Sequence, residues 1–83
     1  FNIKISSKDL LITSQLKYAM IINDKIKTAN YNIDTYKKKI YIYGIAMDEE
    51  ERRAVINEAK QVLDVQDVIP SILLLEDLSR KSN

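Results

Sequence analysis

Tyr31–Glu51, YNIDTYKKKIYIYGIAMDEEE, decides the fold. Tyr31, Ile33 and Thr35 alternate with Asn32, Asp34 and Tyr36, and Ile40 and Ile42 alternate with Tyr41 and Tyr43. A period of two marks half-buried strands. Folding the segment back at Lys37–Lys38 sets Thr35 against Ile40, Ile33 against Ile42 and Tyr31 over Gly44, all on one face. A one-residue slip would scatter those side chains, so register and pattern specify each other. Gly44, the chain's only glycine, is read as a point of close approach by a helix or as a bend in the strand. The acids that follow start a helix. Asp48 and Glu51 form an Asp-x-x-Glu capping box, and Glu49 and Glu50 place negative charge at the positive end of the dipole.

Beyond the capping box, Val55, Ala59 and Val62 recur on one face of that helix. Val65–Leu75 reads as a third strand with Val68, Ile72 and Leu74 on one side. Pro70 cannot donate to a ladder, which assigns that strand to an edge or gives it a bulge. Before the hairpin, residues 24–30 are a polar connection. Ile12, Leu16, Ala19 and Met20 form one face of a helix over Lys8–Asn23, capped by Ser6 or Ser7 and with Asp9 in its first turn. Leu11, Tyr18 and Ile22 form a second apolar stripe, more than one core-facing surface requires.

The expected fold is therefore α+β: a two-layer α/β sandwich of order αββαβ, with a three-stranded mixed sheet and two helices on one face. The helical crossover makes strands two and three parallel and right-handed in connection. Residues 1–7 are expected to be a flexible lead-in, 8–76 a single domain and 77–83 a C-terminal tail. A chain of 83 residues has room for one core. It begins with Phe1, so the expectation is a processed or excised piece, with any signal peptide or lipid anchor upstream.

Composition narrows the chemistry. The chain has no cysteine and no histidine, which removes the thiolate nucleophile, the commonest general base and the commonest metal ligand. No Gly-rich phosphate loop, Gly-x-Ser-x-Gly or His-Glu-x-x-His motif occurs, so no catalytic residue and no cofactor are proposed. Consecutive acids on a helix point around its circumference, so Asp48–Glu51 are read as caps and not as metal ligands. The net charge of +1 conceals an asymmetry: residues 1–47 hold eight lysines against three aspartates, and residues 48–83 hold five basic against nine acidic residues. A basic half attracts anionic partners. Nucleic acid is not the expected one, because arginine is scarce and neither an RNP-like aromatic pattern nor a Gly-x-x-Gly loop is present.

Three stretches carry a family resemblance: DLLITSQLKYAMI (Asp9–Ile21), NIDTYKKKIYIYGIAMDEEE (Asn32–Glu51) and EAKQVLDVQDVIPSILL (Glu58–Leu74). Together they resemble the BON domain, the bacterial OsmY and nodulation module. The most specific parts are Leu11-Ile12-Thr13, the strand end Tyr41-Ile42-Tyr43-Gly44, the acid-started helix and the Val65/Val68 pair. Two positions depart from the family pattern. Lys37-Lys38 stands where an Asn-Gly-like turn is usual, which predicts a longer or different hairpin loop, and Asp64 stands where glycine is usual but tolerates left-handed geometry. The resemblance implies a non-catalytic envelope module, periplasmic or attached to the outer membrane, that binds phospholipid and supports envelope integrity. It also implies a possible second BON or other domain in the same protein.

Two surfaces follow. Lys8, Leu10, Leu11, Lys25, Lys27, Lys37 and Lys38 are the candidates for an anionic phospholipid surface, the leucines entering a headgroup layer while the lysines meet phosphate. Tyr41, Tyr43, Leu73 and Leu75 are expected to project from the uncovered sheet face as a surface for a partner protein or for homo-oligomers. The plainer alternatives are solvated lysines at a turn and tyrosines exposed on an open sheet.

Overall fold

The computed structural model describes residues 6–80. Its elements are α1 (Ser7–Ile22), a 3-10 turn (Thr28–Asn30), β1 (Tyr31–Tyr36), β2 (Lys39–Ala46), α2 (Glu49–Lys60), β3 (Asp67–Leu74) and α3 (Leu75–Arg80). β1 and β2 pair antiparallel with Thr35 opposite Ile40, Ile33 opposite Ile42 and Tyr31 opposite Gly44, as the alternation requires. β3 adds parallel to β2, giving the strand order β1-β2-β3. Ile12, Leu16 and Met20 of α1 and Val55 and Ala59 of α2 pack on Ile33, Ile40, Ile42 and Ala46 of the sheet. The result is an α+β sandwich with a mixed three-stranded sheet covered on one face by α1 and α2.

Local chemistry sets the boundaries. Ser6 is the α1 cap, its hydroxyl accepting from the Asp9 N–H at 3.0 Å, so the helix begins at Ser7, the last residue of the expected lead-in. Asp48 caps α2 by accepting from the Glu51 N–H at 2.9 Å. Asp64 adopts φ 69°, the left-handed geometry expected of it between α2 and β3. Pro70 lies on an edge strand and the ladder runs past it, Pro70 standing opposite Ile42 without a bulge. The hydroxyls of Thr13 and Thr35 share a hydrogen bond of 2.6 Å that fastens α1 to β1.

Four expectations need correction. The third strand ends at Leu74 and Leu75 opens a short helix, because Glu76 and Asp77 supply a helical first turn where strand alternation stops. The expected tail is therefore helical as far as Arg80, while residues 1–5 and 81–83 of the expected lead-in and tail lie outside the described residues. The hairpin loop is not longer: Lys37 and Lys38 make a tight two-residue turn at φ 50° and 65°. Left-handed geometry at a non-glycine residue costs roughly 1–2 kcal/mol, and Asp9 offsets it as described below. Finally, the close approach at Gly44 comes from the end of the 3-10 turn and the start of β1, not from α1 or α2. A Cβ there would press into the Asn30 carbonyl oxygen and sit 2.6 Å from Cδ1 of the Tyr31 ring.

Candidate functional site

Helix α1 carries apolar residues on both its inward and its outward face. Asp9, Ile12, Leu16 and Met20 face inward and are buried. Leu10, Leu11, Tyr18, Ile21 and Ile22 keep 59–67% of their surface exposed, so the core does not hold them. Leu11, Tyr18 and Ile22 fall at i, i+7 and i+11, and Leu10 and Ile21 run beside them, making one outward apolar strip. Lys8 and Lys17 lie on the same helix and are exposed. Leu10 and Leu11 were legible as candidates from the sequence. Ile21 and Lys17 were missed, although the second stripe of Leu11, Tyr18 and Ile22 already marked this face.

The hairpin tip is held against the start of α1. The buried Asp9 carboxylate accepts the Lys38 N–H at 2.8 Å and the Lys37 N–H at 3.0 Å. The Lys38 carbonyl in turn accepts the Gln66 N–H at 2.8 Å, which ties the turn to the lead into β3. The Lys38 N–H, with lesser help from the Lys37 N–H and the Ser6 hydroxyl, holds the Asp9 carboxyl below the usual carboxylate range against the opposing effect of burial. A cleft of about 580 Å³ opens at this junction, lined by Ser6, Lys8, Asp9, Tyr36, Lys37, Lys38 and Gln66. The Lys37 ammonium lies 5.4 Å from the centroid of the Tyr36 ring, within range of a cation–π attraction.

The structure thus divides the seven lipid candidates. Lys8, Leu10, Leu11, Lys37 and Lys38 gather at the start of α1 and the hairpin tip. Lys25 and Lys27 follow the far end of α1, a helix length of about 24 Å at 1.5 Å per residue. Lys25 also pairs with Glu50 at 2.9 Å, and that hydrogen bond holds its ammonium above its usual pKa. Helix geometry separates the two groups, which sequence proximity to the basic half did not reveal.

On the uncovered sheet face Tyr36, Tyr43, Ile45 and Leu73 are exposed, and Tyr41 and Ile69 are half-buried. Tyr41, Tyr43 and Leu73 therefore lie where the alternation puts them. Leu75 does not belong to this strand face, because it opens α3. Ile45 takes a place in the patch and was readable from its alternation with Tyr41 and Tyr43.

The acids Asp48–Glu51 are engaged within the fold. Glu49 pairs with Arg52 and Arg53, and Glu50 pairs with Lys25. Glu51 is 6% exposed and accepts three hydrogen bonds, from the Met47 N–H at 2.9 Å, the Lys27 N–H at 3.0 Å and the Tyr31 hydroxyl at 2.9 Å. Burial, and then the Glu51 carboxylate, push the Tyr31 phenol above its usual range, so it stays a donor. Among the described residues no helix is long and apolar enough to cross a membrane, and no cluster of acids suits a metal ion.

The sequence profile described as "BON domain" matches residues 8–75. An uncharacterised protein from the gshII 5′ region of Anaplasma centrale is 34% identical over 73 residues, which cover 88% of this chain and 48% of that protein. The chain accordingly spans about half the length of the curated relative it matches. BON domains are phospholipid-binding modules found in envelope and periplasmic proteins, and the family is generally non-catalytic. With the profile covering every element from α1 to the end of β3, the chain belongs to the BON domain family.

Proposed function

We propose that this module associates peripherally with anionic phospholipid of the bacterial cell envelope, using the outward face of α1 and the lysines at the hairpin tip, and so contributes to envelope integrity without catalysis. The observation that carries this reading is the strip Leu10, Leu11, Tyr18, Ile21 and Ile22, exposed on a helix whose opposite face already fills the core. Such a helix can lie in the plane of a headgroup layer, its apolar side chains entering the acyl boundary. Each lysine held near an anionic surface adds about 1 kcal/mol.

Co-sedimentation with phosphatidylcholine vesicles, with and without phosphatidylglycerol, tests the proposal. Binding is expected on the anionic vesicles and should weaken as salt rises, since exposed charges are screened beyond ~8–10 Å at physiological ionic strength. Leu11→Glu should weaken it by at least tenfold, because burying a leucine is worth about 1.5–3 kcal/mol. Leu11 is exposed, so the fold should be unaffected. Binding that ignores both salt and Leu11→Glu counts against this face.

A second reading has its own support. Tyr43, Ile45 and Leu73 form an exposed apolar cluster on the open sheet, and the curated relative is about twice as long as the matched stretch. That face is suited to dock a second domain of a longer protein or another copy of this chain. Sedimentation velocity distinguishes self-association: a concentration-dependent dimer abolished by Leu73→Lys supports it, and a monomer at millimolar concentration removes the copy as the partner.

A further inference from the structure

We infer that the cleft between the start of α1 and the hairpin tip, lined by Lys8, Lys37 and Lys38, is a discrete subsite for the phosphate of one glycerophospholipid headgroup. It rests on the membrane reading above for the source of that phosphate, while the cleft's affinity for a phosphate ester stands independently of it.

The turn geometry carries the argument. A two-residue hairpin with both central residues at positive φ favours Asn-Gly, which adopts that backbone without strain. Here the positions hold Lys37 and Lys38, at φ 50° and 65°. Strain of this kind persists only where the surroundings over-determine it, and it clusters at binding sites. The surroundings do so here: Asp9 accepts both turn N–H groups, and Gln66 N–H fixes the Lys38 carbonyl. What the lysines add, and Asn-Gly would not, is two cationic side chains on residues that line a cleft Lys8 borders from α1, the Lys37 ammonium lying over the Tyr36 ring of the same cleft.

The backbone donors of the turn are already taken by Asp9, so the site offers ammonium groups and not a nest of N–H groups. Among the described residues none of Lys8, Lys37 and Lys38 is paired with a carboxylate, whereas Lys25 is. Among the described residues Asp9 is the one acid lining the cleft, against three cations, leaving an excess of positive charge for a phosphate oxygen. Leu10 and Leu11 follow directly in α1 and are exposed, so acyl chains attached to that phosphate have apolar surface beside it.

The test uses Lys37→Asn combined with Lys38→Gly, which removes both charges while relieving the turn. Its thermal midpoint should rise, and its affinity for phosphatidylglycerol-containing vesicles at low salt should fall roughly 25-fold, about fivefold for each lysine near an anionic surface. Lys37→Gln with Lys38→Gln removes the charges with the strain intact and should lose the same affinity. In the unsubstituted protein, glycerol phosphate should move the amide NMR signals of Lys8, Asp9, Lys37, Lys38 and Gln66, and both double variants should not respond. Unchanged vesicle affinity in the two variants, with no response to glycerol phosphate, overturns the subsite and leaves membrane binding to α1. A response to glycerol phosphate without vesicle binding supports the cleft and removes the lipid as its source. Silence towards both probes overturns the subsite together with the membrane reading.

Discussion

Glu51→Ala is expected to lower the free energy of unfolding by about 3–5 kcal/mol, the cost of removing one member of a buried charged hydrogen-bond network. The carboxylate is 6% exposed and serves three donors: Met47 N–H beside the α2 cap, Lys27 N–H before the 3-10 turn, and the Tyr31 hydroxyl at the start of β1. Its loss strands the buried Tyr31 hydroxyl and frees three segments from one another. A chain of this size has roughly 4–12 kcal/mol of stability at 0.05–0.15 kcal/mol per residue, so the variant should be near the edge of folding. Urea unfolding followed by circular dichroism reads the effect, and Glu51→Gln, which keeps one acceptor oxygen, should recover part of it. A midpoint for Glu51→Ala close to that of the unsubstituted protein contradicts the account. The raised Tyr31 pKa has a related consequence: its stabilisation is complete below the ordinary phenol value of 10.0 and declines as pH rises above it.

Asp9→Asn should release the hairpin tip. The amide replaces one acceptor oxygen with an NH₂ group facing a backbone N–H, so one of the two turn bonds becomes a clash of donors. Hydrogen exchange at Lys37 and Lys38 should accelerate by ~10- to 100-fold, the range corresponding to a lost hydrogen bond to a charged group. The pH dependence follows from the lowered pKa. The carboxylate's contribution is complete above its ordinary value of 3.8 and disappears as pH falls through the lower folded value, so acid loosens the tip below about pH 4. In Asp9→Asn that portion of the acid transition should be absent. Unaltered exchange at Lys37 and Lys38 would show that the turn holds itself.

The sequence exposed those features whose determinants are local. The period-two residues of Tyr31–Tyr43 fixed both strands and their register, and Asp48 with Glu51 fixed the start of α2. The turn type was misread because lysine disfavours positive φ, and the residue that overrides this preference, Asp9, lies 28 residues away from Lys37 in the chain. Separation in sequence likewise hid further partners of Glu51, since its bonds to Asp48 and Met47 are local while Lys27 and Tyr31 are 24 and 20 residues away. Leu73-Leu74-Leu75 offers no boundary by itself, so Leu75 was assigned to the strand until Glu76 and Asp77 are recognised as a helical first turn.

Of the candidate lipid surface, Leu10 and Leu11 were legible as apolar residues the core stripe did not need. That Lys8, Lys37 and Lys38 meet around one cleft was not, because only the fold brings the hairpin tip to α1. Lys25 and Lys27 share the charge of that group but follow the opposite end of the helix. Charge balance counts residues without their positions, and a surface for a membrane depends on which of them lie in one plane.

The most direct test of membrane association is amide-resolved NMR of the labelled protein with vesicles carrying a paramagnetic headgroup lipid, compared between anionic and zwitterionic composition. Membrane association through this face predicts broadening at Lys8–Leu11, Tyr18, Ile21 and Lys37–Lys38 with anionic vesicles alone, while Tyr43, Ile45 and Leu73 remain sharp. Broadening centred on Tyr43, Ile45 and Leu73, or none with either lipid, would contradict it.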